Sequence, residues 1–572
     1  MTAAVSFDVR QIPFATRGSW FDLSPVVGLH TTADDLHLVS HVGGMHAVLA
    51  LQPVREGRPV ATEWLATQAE LVWRAADGAE VRAAFDGPSA VRLRGSGLAL
   101  RLGDASAGLT PFTGTYLFED PVDGALVFTS YETGRRYRVT TLAGTVRAEG
   151  AEALGRAERA VLAGADGRPW EVVVEETTTA APAYRSELSF DQVVARTRRA
   201  FDEYADAIAP WRTDAVPAAA LAAYVLWSAT VAPAGELSRE SVLMSKHWMD
   251  KVWSWDHCFT ALALAEGLPD LAIDQFLVPF DHQDAAGALP DSVTHSEVLY
   301  NYVKPPIHGW ALTRLRESLG RPLERAELTR IHDHLARWTR FWLDHRRRPG
   351  HPLPYYQHGN DSGWDNATTF DLDRVVESPD LAAFLVLQLE VLADLATELD
   401  LPGEQWTAER DRVLRALLSE LWTGASFTAV GALSGRPSTT SSLLLVLPLV
   451  LGDRLPGPVR DRLVERLAEH LTDHGPATEP VTSPHHESDG YWRGPIWAPS
   501  TALVVDGLQA CGYAELADTV SARFRRLCER SGFAENFDAR TGAGLRDRAY
   551  TWTAAVYLWL AARAVDGAVD GR

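Results

Sequence analysis

Through roughly the first 180 residues the apolar positions come in short, often alternating runs, among them HAVLALQPV, ELVWRAA, EVRAAF, VRLRG, ALVFTSYE and EVVVEETTT, with polar turns between them. Alternation turns one face of each run inward, and Asp-Gly pairs beginning at Asp77, Asp86, Asp123 and Asp166 are strong short-range hairpin signals. The pattern predicts an antiparallel β-sandwich. After Pro182 the period lengthens: SFDQVVARTRRAFDEYADAI repeats its apolar residues at three and four, with Ser189 placed to cap it, and predicts a connecting helix. About a dozen helical segments follow, at 217–233, 255–267, 270–280, 308–320, 325–347, 380–400, 404–421, 441–451, 457–473, 499–513, 514–530 and 550–566. No strand signal separates them and no fixed-period repeat relates them, so two concentric rings of six helices, an (α/α)6 barrel, fit better than a long bundle or a solenoid. The expected architecture is multidomain α+β: a sandwich at 1–184, a connecting helix at 185–212 and a barrel carrying the chemistry at 213–572.

Charge and composition narrow the possible partners. The 75 acidic and 54 basic side chains leave a net charge of -21, which repels nucleic acid and anionic lipid in the absence of a segregated basic patch. The densest basic cluster, Arg346 to Arg348, reads as a helix end, where cations suit the dipole. No apolar run is long enough to cross a bilayer, and MTAAVSFDVRQIPF lacks the basic flank and apolar stretch of a secretory signal; the expected location is the cytoplasm, without a membrane partner. Cys258, Cys511 and Cys528 are too scattered for a disulfide framework or zinc and read as reduced structural thiols. Tryptophan is the unusual residue. Of 19, 15 lie at or after Trp211, and those in polar loops suit stacking on the C–H face of a pyranose.

Four segments combine aromatic and acidic residues, three of them with glycine. HWMDKVWSWDHCF, at 247–259, sets Trp253, Trp255 and Asp256 before a helix, where a carboxylate can also serve as a cap. GALPDSVTHSEVLYNYVKPPIHGW, at 287–310, carries Lys304 and His308, candidate sugar contacts, although a lone histidine is ordinarily a core or surface residue. YYQHGNDSGWDNATTF, at 355–370, holds Asp361, Trp364 and Asp365; its Asp361 to Asn366 run lacks the alternating oxygens and distal glutamate of a calcium loop, so no metal is expected. The fourth is split between GYWRGPIWAP, at 490–499, and GFAENFDARTG, at 532–542, which contains Glu535.

Glycosidic cleavage needs one carboxyl kept neutral to protonate the leaving oxygen and one kept charged to act on the opposite face. Asp365 beside Trp364 is expected to be dried and raised in pKa, and Glu535 to stay ionised if hydrogen-bonded and wet. No cofactor is required.

In this order the four segments resemble glycoside hydrolase family 63 and the related family 37 trehalases, inverting α-glycosidases on (α/α)6 barrels, with mannosylglycerate hydrolase-like and bacterial α-glucosidase-like enzymes among them; the likeness covers roughly residues 240–560. The resemblance implies Asp365, in SGWDN, as general acid and Glu535, in FAENFDARTG, as general base. It implies Trp255 and Asp256 as binders of the cleaved sugar, and Trp492, Arg493 and Trp497, in YWRGPIW, as further parts of the same site. Trehalases carry Arg-Ser-Gln-Pro-Pro where this chain has Tyr302, Val303 and Lys304 before its prolines, and Glu where it has Asp361, which argues against trehalase itself. The expected substrate is a small carbohydrate, an α-glucoside or α-mannoside such as a disaccharide or glycosylated solute. A sugar epimerase or polysaccharide lyase on the same barrel, or a carbohydrate-binding protein without catalysis, are the rivals; the paired histidines of epimerases and the Tyr, His and Arg of lyases do not match these acid-bearing loops, and intact Asp365 and Glu535 argue against a binding protein. Nothing in the sequence sets the oligomeric state.

Overall fold

In the computed structural model, which describes residues 5–106, 115–155, 157–179 and 182–570, the alternating runs form two antiparallel sheets. The larger orders nine strands as Ser6–Phe7, Glu63–Thr67, Leu71–Arg74, Glu80–Phe85, Ala90–Ser96, Trp170–Thr177, Arg136–Ala143, Leu126–Ser130 and Thr115–Glu119. The second runs Val146–Glu149, Ala160–Ala163, Ala99–Asp104, His46–Arg55, Thr31–Ser40 and Phe21–Gly28, with Arg58–Pro59 added to the edge of His46–Arg55. One core that includes Phe14, Phe21, Trp73, Phe85, Tyr137 and Trp170 fills the space between them. Burial of side chains of this size stabilises by about 1.5–3 kcal/mol each.

Three of the four Asp-Gly pairs turn hairpins, with Gly78, Gly87 and Gly124 at positive φ between strands that pair directly. The fourth does not. Asp166-Gly167 connects Ala160–Ala163 to Trp170–Thr177, which belong to different sheets, so that turn carries the chain across the sandwich. Tight packing accompanies the crossing: the Trp170 indole donates to the Leu98 carbonyl at 2.7 Å and lies against Gly95 and Gly164, where a side chain would collide with it.

The helices are α1 (Phe190–Ile208), α2 (Ala219–Ala229), α3 (Asp256–Leu264), α4 (Pro269–Leu277), α5 (His308–Ser318), α6 (Arg325–Arg340), α7 (Pro379–Glu398), α8 (Glu404–Glu420), α9 (Gly457–His470), α10 (Ala498–Ala510), α11 (Ala514–Ser531) and α12 (Thr551–Asp570). The segment expected as a helix over 441–451 is instead a run of 3-10 turns, Leu443–Arg454, because Pro448 removes a backbone donor and Gly452 takes a non-helical φ of 57°. An inner ring closes through α3, α5, α7, this 3-10 run, α10 and α12, each packed on the next and α12 back on α3. Helices α4, α6, α8, α9 and α11 pack outside it. The pattern follows the sequence. Helix α3 is buried along its whole length and α10 nearly so, whereas α6, α8 and α11 bury one stripe. Two polar ties pin the ring: Asp506 of α10 accepts from Trp310 (2.8 Å) and Arg314 of α5 and from Arg563 of α12, and Gln388 of α7 joins Gly309 of α5 to Thr339 of α6.

Two compact units result: Met1–Asp206 with Ala223–Lys251 and Thr294–Glu297, and Ala207–Ala222 with Val252–Val293 and Val298–Arg572. Residues 223–251, expected within the barrel, thus count with the sandwich. Among the described residues no helix is long and apolar enough to cross a membrane.

Candidate active site

The candidate side chains gather on loops of the second unit. Strand Val252–Trp253 pairs with Ser292–Val293, which pairs with Val298–Leu299, so Asp256 at the start of α3 is brought beside Asp291 and Lys304. Lys304 is buried, with its ammonium 3.1 Å from Asp291 and 4.0 Å from Asp365, donating to the Asn360 carbonyl at 2.9 Å and 5.3 Å from the Trp253 ring centre. Burial opposes its charge most, but Asp365, Asp291 and Asp256 outweigh that and raise its pKa.

The loop bearing Asp365 is held from both ends. Asp361 is a buried anchor: its carboxylate accepts from the Val303 amide (3.1 Å), the Gln357 amide (2.8 Å) and the Arg346 guanidinium (2.7 Å). Gly363 follows at φ 74°, lying against the Trp255 ring, where a Cβ would stand 2.6 Å from the nearest carbon. Asn366 then fastens this loop to the next motif, donating to the Gly490 carbonyl (3.0 Å) and accepting from the Trp492 amide (3.0 Å). Arg493 completes the fastening, since its guanidinium donates to the Asn366 carbonyl at 2.8 Å and pairs with Asp371. Its donors therefore hold loops together.

Three indoles form one stack. Trp364 lies on Trp492 with ring centres 4.6 Å apart, and Trp492 on Trp497 at 4.0 Å and 4°. Trp552 stands edge-on to both Trp497 and Trp255. All of these rings are nearly inaccessible, so they wall the site by packing on one another. The Trp497 indole donates to the carbonyl of Tyr491 (2.8 Å), a non-glycine residue at φ 62°, a costly conformation of the kind that concentrates at functional sites.

Glu535 precedes a short hairpin of Asn536–Phe537 and Gly544–Leu545, and its amide donates to the Asp547 carbonyl at 2.8 Å. The wet setting on which an ionised Glu535 was conditional is not found: the residue is 1% exposed, whereas the Asp365 side chain is 32% exposed. Burial first and Asp547 second push its pKa up to about 8, with Asp365 adding; Arg546 and a hydrogen bond from Tyr491 oppose. Asp365 is also raised, mainly by burial, with Lys304 opposing most strongly. Asp256 is pushed up to about 8 by burial, against Lys304. One carboxyl oxygen each of Asp256 and Glu535, and the Trp552 indole nitrogen, are buried without a hydrogen-bond partner among the described residues. These suit the hydroxyls and water of a bound sugar.

His308 lies elsewhere. It is fully buried among Phe276, Phe280 and Trp338, hydrogen-bonds the Ser254 carbonyl at 3.0 Å, and burial lowers its pKa to about 4. This places it in the core, as a neutral support for the segment ahead of Trp255, and corrects its expected contact with sugar. Asp291, Tyr491 and Asp547 were not singled out from the sequence; Pro290 ahead of Asp291 and the aromatic setting of Tyr491 were the available cues. Among the described residues no three His, Cys, Asp or Glu side chains are grouped as metal ligands, and the Lys304 ammonium stands amid the carboxylates.

Carboxyls from separate loops, walled by indoles at a helical barrel, are an arrangement suited to a glycosidase, the class to which the family match assigns the chain. Residues 249–553 match the model of the mannosylglycerate hydrolase MGH1-like glycoside hydrolase domain, and the chain belongs to that family. It is 26% identical to the mannosylglycerate hydrolase of Rubrobacter radiotolerans, across 57% of this chain and 92% of that one. The crystal structure of the GH63 mannosylglycerate hydrolase of Thermus thermophilus in complex with glucose shares the fold over 59% of this chain and 98% of its own, with a TM-score of 0.53 and 20% identity. A bacterial glucoamylase crystallised with acarbose matches 99% of this chain and 96% of its own at a TM-score of 0.60 and 10% identity, a likeness that spans sandwich and barrel alike.

Proposed function

We propose that the protein is an inverting α-glycosidase of a small glycosylated solute, with Asp365 as general acid and Glu535 as general base. The observation that carries this reading is the pair itself: two carboxyls from different loops, both raised in proton affinity by burial, in one indole-walled site. Asp365, the more accessible of the two, protonates the leaving oxygen. Glu535 takes a proton from water, whose oxygen attacks C1 from the opposite face, and its unpartnered oxygen is the one that receives this proton. Inversion requires the carboxyls to stand about 6.5–9.5 Å apart across sugar and water.

The active state carries one proton on the pair. Arg546 favours loss of the Glu535 proton, and the Tyr491 phenol donates to the carboxylate that results. The two limbs of the rate profile then belong to the coupled pair. Asp256 holds the cleaved sugar through its unpartnered oxygen, the Trp255 ring backs it, Lys304 sets the charge balance, and the Trp364–Trp492–Trp497 stack forms the dry wall. A mannoside or glucoside of a small hydroxy acid such as glycerate is the substrate class we favour, in line with the family. We place the protein in the cytoplasm, where three buried free thiols persist unpaired.

The test is proton NMR during hydrolysis of α-mannosylglycerate, α-glucosylglycerate and neutral α-glucosides and α-mannosides. Inversion releases the β-sugar first; the α-sugar appearing before mutarotation would remove Glu535 from its role.

A further inference from the structure

We propose that Asp291 and Lys304 are a pair of positioning residues that set the charge of Asp365, the Asp291 carboxylate holding the Lys304 ammonium where it faces the acid. This rests on the reading of Asp365 as general acid. Three aspartates from three separate segments surround one buried ammonium: Asp256 opens α3, Asp291 precedes strand Ser292–Val293, and Asp365 follows Gly363. Lys304 is anchored from two further sides, by the Asn360 carbonyl at 2.9 Å and by the Trp253 ring, while its neighbour Val303 donates to the fixed carboxylate of Asp361. The shortest of its carboxylate contacts is Asp291 at 3.1 Å, with Asp365 at 4.0 Å.

Charge counting explains the arrangement. Three carboxyls and one ammonium in a site open to solvent only at Asp365 approach neutrality when two protons are retained, and with Asp291 paired to the ammonium those protons fall to Asp256 and Asp365. An acid catalyst needs its proton. Lys304 alone would strip Asp365 by direct attraction, and Asp291 offsets that field. Other groups that act on Asp365, among the described residues, include His358 on its own loop, Asp256, Tyr491 and Glu535.

The two residues therefore act with opposite sign, which a merely structural pair would not do. In the full-length protein, Lys304→Met is expected to raise the titration of Asp365 by about one to three pH units, and Asp291→Asn to lower it. The double variant falls between the two. The readout is the protonated carboxyl band of Asp365 by infrared difference spectroscopy, identified by its loss in Asp365→Asn, alongside the pH profile of kcat/KM on α-mannosylglycerate. Circular dichroism and the denaturation midpoint check folding, and Lys304→Gln replaces Lys304→Met if the latter does not fold. Opposite displacements of the band support the proposal. Displacements in the same direction, or none, overturn it. If the band moves as expected while neither variant nor Asp365→Asn alters the rate profile, the pair stands and the acid assignment falls.

Discussion

Gly363→Ala tests how the active-site loop is built. Gly363 sits two residues before Asp365 at φ 74°, and a Cβ there would stand 2.6 and 2.7 Å from two carbons of the Trp255 ring. The left-handed backbone costs a residue with a Cβ about 1–2 kcal/mol, and overpacking against an immobile ring adds about 1–3 kcal/mol. Trp255 cannot easily yield, because it is 2% exposed and edge-packed on Phe259 and Trp552. The sum is about 2–5 kcal/mol, to be met either in stability or by displacement of the loop. A shift of about 1 Å at a catalytic group costs on the order of 100-fold in rate. Gly350→Ala is the control, since Gly350 has a similar φ of 77° but nothing within 4 Å of its would-be Cβ, so only the backbone cost remains. The assay is urea denaturation of both variants with kcat/KM measured in parallel. A Gly363→Ala enzyme with the midpoint and the kcat/KM of the parent would refute the reasoning.

The catalytic pair makes a kinetic prediction: Asp365→Asn and Glu535→Gln each reduce kcat by about 100- to 10,000-fold while sugar binding, followed by calorimetry, persists. Stability should show the reverse trend. Asp256 and Glu535 hold their protons up to about pH 8 in the folded protein, far above their unfolded values, so folding gains from the bound protons at acid pH and loses that gain as pH rises through about 8. Asp256→Asn and Glu535→Gln are accordingly expected to be more stable than the parent at pH 9, with a smaller difference at pH 4; equal differences at both pH values in denaturant titrations would contradict the shifts.

Much of the site was legible because its motifs are contiguous. SGWDN holds a left-handed glycine, a stacking indole, the candidate acid and the Asn366 fastener within five residues, and YWRGPIW holds two of the three stacked indoles. Arg493 was legible as a member of that cluster but not in its role, since whether a guanidinium reaches a sugar or the Asn366 carbonyl depends on where a loop more than a hundred residues away comes to rest. His308 was misplaced for a similar reason: it shares the 287–310 segment with Lys304, yet it opens α5 and turns into the core against Phe276 and Phe280.

The sequence by itself determined the local periods and so the elements: alternation for the strands, spacings of three and four for the helices, and apolar runs long enough to bury α3 and α10 inside a ring. It also carried the motifs by which the family is legible. Tertiary structure decided what depends on distance between segments remote in the chain. The 3-10 run over Leu443–Arg454 completes a ring whose closure no local period encodes. Burial raises the proton affinity of Asp365, and Lys304 and Asp291, some sixty and seventy residues earlier, act on it with opposite sign, while Glu535 is dry because packing, rather than composition, encloses it. Proton affinity depends on burial and on charges a few ångströms away, and those are properties of the folded chain.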